Sequence, residues 1–118
     1  MQYVLAADRN NDALGPLYSP LHPAVLRLLR AVITVAGRRN IPVAVCGEIA
    51  GDPACVPLLL ALGLQEFSLH PATLLEVRRA IRDCDLGMLR ARAPQLLRAR
   101  DRGAIERWLH RVRLPSAQ

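Results

Sequence analysis

Two short runs, Ile41–Val45 and Glu66–His70, each follow a helical pattern, and each leads into another. This alternation constrains the chain more than any other feature. In the first run Val43, Ala44 and Val45 are too few for a helix and have the make-up of a short buried strand. Pro42 stands at its beginning, where a missing amide donor is tolerated. The run ends at Cys46, and Gly47-Glu48-Ile49-Ala50-Gly51-Asp52-Pro53 follows. Gly47 and Gly51 let the backbone turn sharply and leave room for a ligand beside the main chain. Asp52 suits a helix cap and Pro53 a first helical position, where no donor is lost. A cysteine at the exit of a strand, beside a carboxylate and a helix start, stands where α/β enzymes keep active-site residues. A buried cysteine serving as a small hydrophobe accounts for the same residues.

The flanking segments set the rhythm. Pro23 opens a helix whose stripe is Val25, Leu28, Leu29, Val32 and Ala36, with Arg27, Arg30, Thr34 and Arg38 on other faces and Gly37 and Asn40 as terminators. A second helix, Pro53–Leu62, has almost no polar face and is expected to be sandwiched; Pro57 tightens or kinks its first turns, and Gly63 ends it. Pro71 and Thr73 introduce a third helix, with Leu74, Val77 and Ile81 in one stripe, Leu75 beside it, and Arg78, Arg79 and Arg82 facing away. Helix, strand, helix, strand, helix is the pattern of parallel βαβ units joined by a right-handed crossover.

Upstream, Gln2–Ala7 is too short to classify, Asp8–Asp12 is a polar loop, and Leu14–Leu21 is a connection carrying Gly15, Pro16 and Pro20. Downstream, Leu86, Leu89 and Leu96 continue an apolar stripe that Pro94 is expected to split into two short helices. Ile105, Trp108, Leu109 and Val112 define a last amphipathic helix, and Pro115–Gln118 should fray. The chain thus divides into an α/β portion, 1–85, and a helical extension, 86–118.

At 118 residues the chain can bury a core but cannot build a whole eight-stranded α/β barrel. Two strands with helices on both sides leave a sheet edge and an apolar helix uncovered, so the sequence reads as the last portion of something larger. No apolar run is long enough for a bilayer, and the first residues lack a signal-peptide pattern. Cys46, Cys55 and Cys84 fit no zinc or disulfide spacing, which favours a reducing cytoplasm. The net charge is +6, and all 16 basic residues are arginine, most of them from Arg78 onward. That invites nucleic-acid binding, but aromatic residues make up 3% and offer no stacking platform. Arginine on the outer faces of amphipathic helices is the ordinary explanation, and neither a nucleic-acid nor a membrane partner is expected.

Tyr3-Val-Leu-Ala-Ala-Asp8-Arg9-Asn10-Asn11, Leu21-His22-Pro23-Ala-Val-Leu26, Cys46-Gly-Glu-Ile-Ala-Gly-Asp-Pro53, Leu58-Leu-Leu-Ala-Leu-Gly63 and Glu66-Phe-Ser68 occur in this order. Together they resemble the C-terminal end of phosphoenolpyruvate-protein phosphotransferases, enzyme I of the bacterial sugar phosphotransferase system. The likeness covers roughly residues 2 to 83, and the tail resembles that family's last helices more loosely. Phosphoenolpyruvate synthases and pyruvate phosphate dikinases share the cysteine, whereas the Gly47–Pro53 continuation looks closer to enzyme I.

The resemblance implies a C-terminal fragment of a (β/α)₈ TIM barrel, about the last two strands with their helices, plus a helical tail. In that family the barrel binds phosphoenolpyruvate at the carboxyl ends of its strands. The phosphoryl group passes to a histidine on a separate N-terminal domain and then to a phosphocarrier protein, with Mg²⁺ as cofactor. By the resemblance Cys46 is the proton donor to the enolate, and Arg9 contacts the phosphorylated substrate. Gly47 and Glu48 are supporting candidates, Glu48 being equally readable as a solvated turn carboxylate. Asp8 either holds Arg9 or begins the turn, and His70 is read as exposed or structural. Cys55 and Cys84 match no functional position. The magnesium carboxylates, the further substrate arginines and the phosphohistidine domain are expected outside this sequence, so the isolated chain should be inactive. A homodimer is implied as well, and a non-catalytic dimerisation or interaction module is the alternative reading.

Overall fold

The computed structural model describes residues 2–6 and 19–113. Arg9, the Asp8–Asp12 cluster, most of the connection beginning at Leu14, and Pro115–Gln118 lie outside the described residues. The segment too short to classify from sequence forms a helical turn, α1 (Gln2–Leu5).

Helix α2 (Pro23–Arg38) starts where proline predicts. His22 caps it, its Nδ1 accepting the Ala24 amide at 3.2 Å. Its far end closes by a six-residue pattern: the Ile41 amide donates to the Ala36 carbonyl at 2.9 Å and the Asn40 amide to Gly37 at 3.3 Å. Asn40 adopts a left-handed φ of 52°, which asparagine tolerates better than most residues. The chain then enters β1 (Ala44–Val45), turns through α3 (Glu48–Gly51) and α4 (Val56–Ala61), and returns as β2 (Glu66–Phe67). The strands pair in parallel, Ala44 opposite Glu66 and Val45 opposite Phe67. A 3₁₀ turn (Pro71–Thr73), α5 (Leu74–Arg82), α6 (Leu86–Leu97) and α7 (Arg102–Arg113) complete the described chain.

Helix α4 closes as α2 does. The Leu64 amide donates to Leu59 at 3.1 Å and the Gly63 amide to Leu60 at 3.0 Å, with Gly63 at φ 93°. A methyl group on Gly63 would also lie 3.2 Å from Nη1 of Arg30, which donates to the Leu62 carbonyl at 2.7 Å. Gly63→Ala is therefore expected to cost about 1–2 kcal/mol. Thermal unfolding should show a fall of several degrees, and an unchanged Tm would mean that the turn does not need a left-handed residue.

The core is built around α4, whose Val56, Leu58 and Leu59 are fully buried with Leu62 just beyond it. The same buried cluster takes in Val45 of β1, Leu89, Ala93 and Leu96 of α6, and Ile105, Trp108 and Leu109 of α7, and both of these helices pack on α4. The expected sandwiched helix is thus present, and the last amphipathic helix buries the four residues its periodicity selects. Arg27 ties α2 to the α6 terminus, its Nη2 donating to the Ala99 carbonyl at 2.9 Å.

Several expectations need correction. Both strands are shorter than read, because Ile41 is 58% exposed at the helix-closing turn and only two residues per strand pair. The helix expected from Pro53 begins at Val56, since Asp52 to Ala54 form a separate turn; Pro57 then falls in the first turn of α4, where it costs no hydrogen bond. Pro94 does not split the tail: α6 is continuous through it, the buried Leu89, Ala93 and Leu96 offsetting the lost bond. The stripe read on α2 is also rotated. Leu26 and Ala36 are buried, with Leu29 and Ile33 against the core, whereas Leu28, Val32 and Val35 are about half exposed. Apolar residues on two faces of α2 leave periodicity unable to choose the inner one. On α5 only Val77 of the expected stripe is fully buried; Leu74 and Leu75 face outward, and at the start of α6 so does Leu86.

Candidate active site at the carboxyl ends of the strands

A cleft of about 590 Å³ lies where the two parallel strands end. Cys46, Gly47, Glu48 and Asp52 reach it from the β1 side, and Ser68, His70 and Thr73 from the β2 side. The Ser68 amide extends the ladder by donating to the Val45 carbonyl at 2.9 Å, so the two exits stand level. Gly47 has φ 84° and ψ −168°, a conformation open to glycine and strained for a side chain. It turns the chain straight from Cys46 into α3. Gly51 serves close approach instead: a methyl group there would lie 3.3 Å from Thr73 Oγ1.

Cys46 is exposed, which removes the reading of it as a buried hydrophobe. Glu48 is exposed in the first turn of α3. Asp52 does not cap a helix at Pro53. Its Oδ1 accepts the Ala54 amide at 2.8 Å and its Oδ2 accepts the Cys55 thiol at 3.5 Å, which pins the turn between α3 and α4. His70, read as exposed or structural, is both: its Nδ1 accepts the Ala72 amide at 3.2 Å, and its backbone carbonyl accepts the Thr73 hydroxyl at 3.1 Å. With Nδ1 accepting, the proton of the neutral ring sits on Nε2 as a donor available to an anion. Ser68, His70 and Thr73 were missed as site residues. The signal was available, since residues just after neighbouring parallel strands share one end of a sheet.

The three thiols have different environments. Burial first, then the Asp52 charge and the hydrogen bond to Asp52, push the Cys55 thiol up from 9.0 to about 12, with Arg113 pulling weakly the other way. Burial, then Asp83, also raises Cys84. Iodoacetamide near neutral pH is therefore expected to label Cys46 first and Cys55 last, because the thiolate is the reactive form. For Cys55 the folded state retains a proton that the unfolded chain releases. Its contribution to stability is complete below pH 9 and is lost as the pH rises towards 12. Tm should be insensitive to this thiol below pH 9 and fall above it, less so in Cys55→Ala. Equal labelling rates for Cys46 and Cys55 would contradict this ordering.

Among the described residues no three His, Cys, Asp or Glu side chains gather to hold a metal ion. No helix among the described residues is long and apolar enough to cross a membrane.

Thiol, hydroxyl and imidazole groups thus gather at the carboxyl end of a parallel βαβ unit, the end of an open α/β sheet where ligands bind. The chain belongs to the family of PEP-utilising enzymes, matching the PEP-binding domain over residues 1–86. It is 50% identical over 101 residues to a phosphoenolpyruvate-protein phosphotransferase of Cupriavidus necator, covering 86% of this chain and 17% of that protein. It is 48% identical over 82 residues to the protein of the same name from Geobacillus stearothermophilus, covering 70% of this chain and 14% of the relative. To multiphosphoryl transfer protein 1 of Escherichia coli it is 39% identical over 105 residues, 89% of this chain and 13% of that protein. The chain thus spans less than a fifth of the length of the curated relatives it matches.

Proposed function

We propose that this chain supplies the last two strands of the phosphoenolpyruvate-binding (β/α)₈ barrel of a phosphoenolpyruvate-protein phosphotransferase, with Cys46 as proton donor to the enolate. The observation that carries the reading is the exposed Cys46 thiol in a cleft at the carboxyl ends of two parallel strands. The half-exposed Leu28, Val32 and Val35 on α2, with Leu74 and Leu75 on α5, support it, because barrel helices bury such faces against their neighbours. Residues 1–85 then belong to the barrel and 86–118 to an extension, whose helices α6 and α7 pack on α4.

Phosphoryl transfer breaks the oxygen–phosphorus bond of phosphoenolpyruvate and leaves the enolate of pyruvate. The phosphoryl group goes to a protein histidine elsewhere in the enzyme and from there to a phosphocarrier protein. The enolate methylene carbon takes the Cys46 proton and becomes the methyl group of pyruvate. Solvent then reprotonates the thiolate. A free thiol is mostly protonated near neutral pH and suits this task, while its thiolate serves as base in reverse. Arg9 presents a planar fork to phosphate or carboxylate. Gly47 holds the thiol at the strand exit, and His70 Nε2–H and the Ser68 hydroxyl offer donors to the anionic ligand. Magnesium takes its ligands from other parts of the enzyme, which is cytoplasmic and a homodimer in this reading.

A chimera tests the proposal. This chain is put in place of the matching segment of the Cupriavidus necator relative, and phosphorylation by phosphoenolpyruvate is followed. Retained phosphorylation is expected. A well-folded chimera that neither binds phosphoenolpyruvate nor becomes phosphorylated would remove the reading. The outward apolar faces also suit a second copy of the chain, as a non-catalytic dimerisation module would require. Sedimentation of the isolated chain as a stable dimer that does not bind phosphoenolpyruvate would favour that alternative.

A further inference from the structure

We propose that the cleft where α6 meets α7 is a second anion site, which takes a small ligand carrying linked phosphates, such as pyrophosphate or the phosphate tail of a nucleotide. Arg98, Arg100, Arg107 and Arg111 line this cleft of about 380 Å³, within the size range of small-ligand sites. Two of them come from the connection after α6, and two stand four residues apart, one turn of α7, on the opposite wall. The only carboxylate in the lining is Asp101, and its Oδ1 is occupied in accepting the Ala104 amide at 2.8 Å. Among the described residues the side-chain ion pairs are Arg79–Asp83 and Arg102–Glu106, and none of the four lining arginines takes part.

Four guanidinium groups against one carboxylate in a concave site repel one another, and an anion in their midst relieves that repulsion. Guanidinium forks match phosphate oxygens two at a time, and arginines on two walls suit more than one phosphate. The floor is rigid: Trp108 is 1% exposed, and its Nε1–H donates to the Arg92 carbonyl at 3.0 Å. This burial also argues against a nucleic-acid groove, because the indole is not free to stack on a base. The cleft shares no lining residue with the Cys46 cleft, so the proposal stands or falls independently of the phosphotransferase reading.

The sole tryptophan of the chain is the reporter. Titrating the 118-residue chain with pyrophosphate, tripolyphosphate and inorganic phosphate, by calorimetry and Trp108 fluorescence, should show saturable one-to-one binding of the linked phosphates and weaker binding of the single one. Raising NaCl from about 50 to about 300 mM should weaken pyrophosphate binding roughly tenfold. Arg107→Gln with Arg111→Gln should weaken it about tenfold or more, whereas Arg38→Gln with Arg39→Gln, equal in charge change, should leave it within about twofold. If the α7 double variant fails to fold by circular dichroism, Arg100→Gln in the connection carries the same test. Absence of saturable binding, equal loss in both double variants, or phosphate binding as tight as pyrophosphate would overturn the site. Tighter binding of an RNA oligonucleotide with a slope of many counterions would overturn it in favour of a nucleic-acid surface.

Discussion

Cys46→Ala in the chimera is expected to slow exchange between phosphoenolpyruvate and pyruvate by about 10²–10⁴-fold, the usual contribution of a positioned proton donor. Phosphoenolpyruvate binding should persist, because in the proposed mechanism the thiol acts on the methylene carbon while other groups hold phosphate and carboxylate. Cys46→Ser is expected to fall nearly as far, since a hydroxyl is a much weaker acid than a thiol. Folding should be unaffected in both variants, because the side chain is exposed and removing it opens no cavity. Isotope exchange into pyruvate and equilibrium binding of phosphoenolpyruvate read the two effects separately. Wild-type exchange in Cys46→Ala would take the thiol out of the chemistry.

The second large effect lies in the tail. Trp108→Ala should destabilise the chain by about 3–5 kcal/mol, a substantial part of the total for a domain of this size. Two losses add. The indole is almost wholly buried in the core cluster that includes Leu89, Leu96, Ile105 and Leu109, and its removal also takes away the hydrogen bond from the indole to the Arg92 carbonyl. The effect should reach the Cys46 cleft, because α6 and α7 pack on α4 and α4 follows the loop that carries the thiol. Chemical denaturation followed by circular dichroism measures the cost, and Trp108→Phe should recover much of it. A loss below about 1 kcal/mol would mean that α7 contributes little to the common core.

Much of this could be read in the sequence wherever a local rule decides the outcome alone. Pro23 and Gly63 mark helix ends because the ring fixes one φ and the absent Cβ permits the other. Periodicity picks out the buried Ile105, Trp108, Leu109 and Val112 because α7 is apolar on a single face. Where two faces compete, as on α2, a period of 3.6 residues finds the stripes but not which one meets the core. Pro94 shows the reverse failure. Its local cost is real, but tertiary contacts two helices away decide whether it is borne. At the site, Cys46 and Gly47 were legible from the strand exit. Ser68, His70 and Thr73 join the cleft only through the pairing of β1 with β2, so finding them takes the further step of carrying the expected parallel pairing on to the residues just after each strand. Arg9 lies outside the described residues.

The paired helix closures at Asn40 and Gly63 have one further consequence. Both turns deliver their strands to the same rung, and that registration brings Cys46 and Ser68 out level. Surface connections ordinarily accept insertions and deletions freely. Here a single residue added between Asn40 and Val43, or between Gly63 and Gln65, would slip one strand by one position. Every side chain of that strand would then turn to the opposite face. The thiol could be carried out of the cleft by a length change at the other end of its own strand, with no residue of the cleft altered. Families of this segment should therefore vary in the composition of these two turns far more readily than in their length.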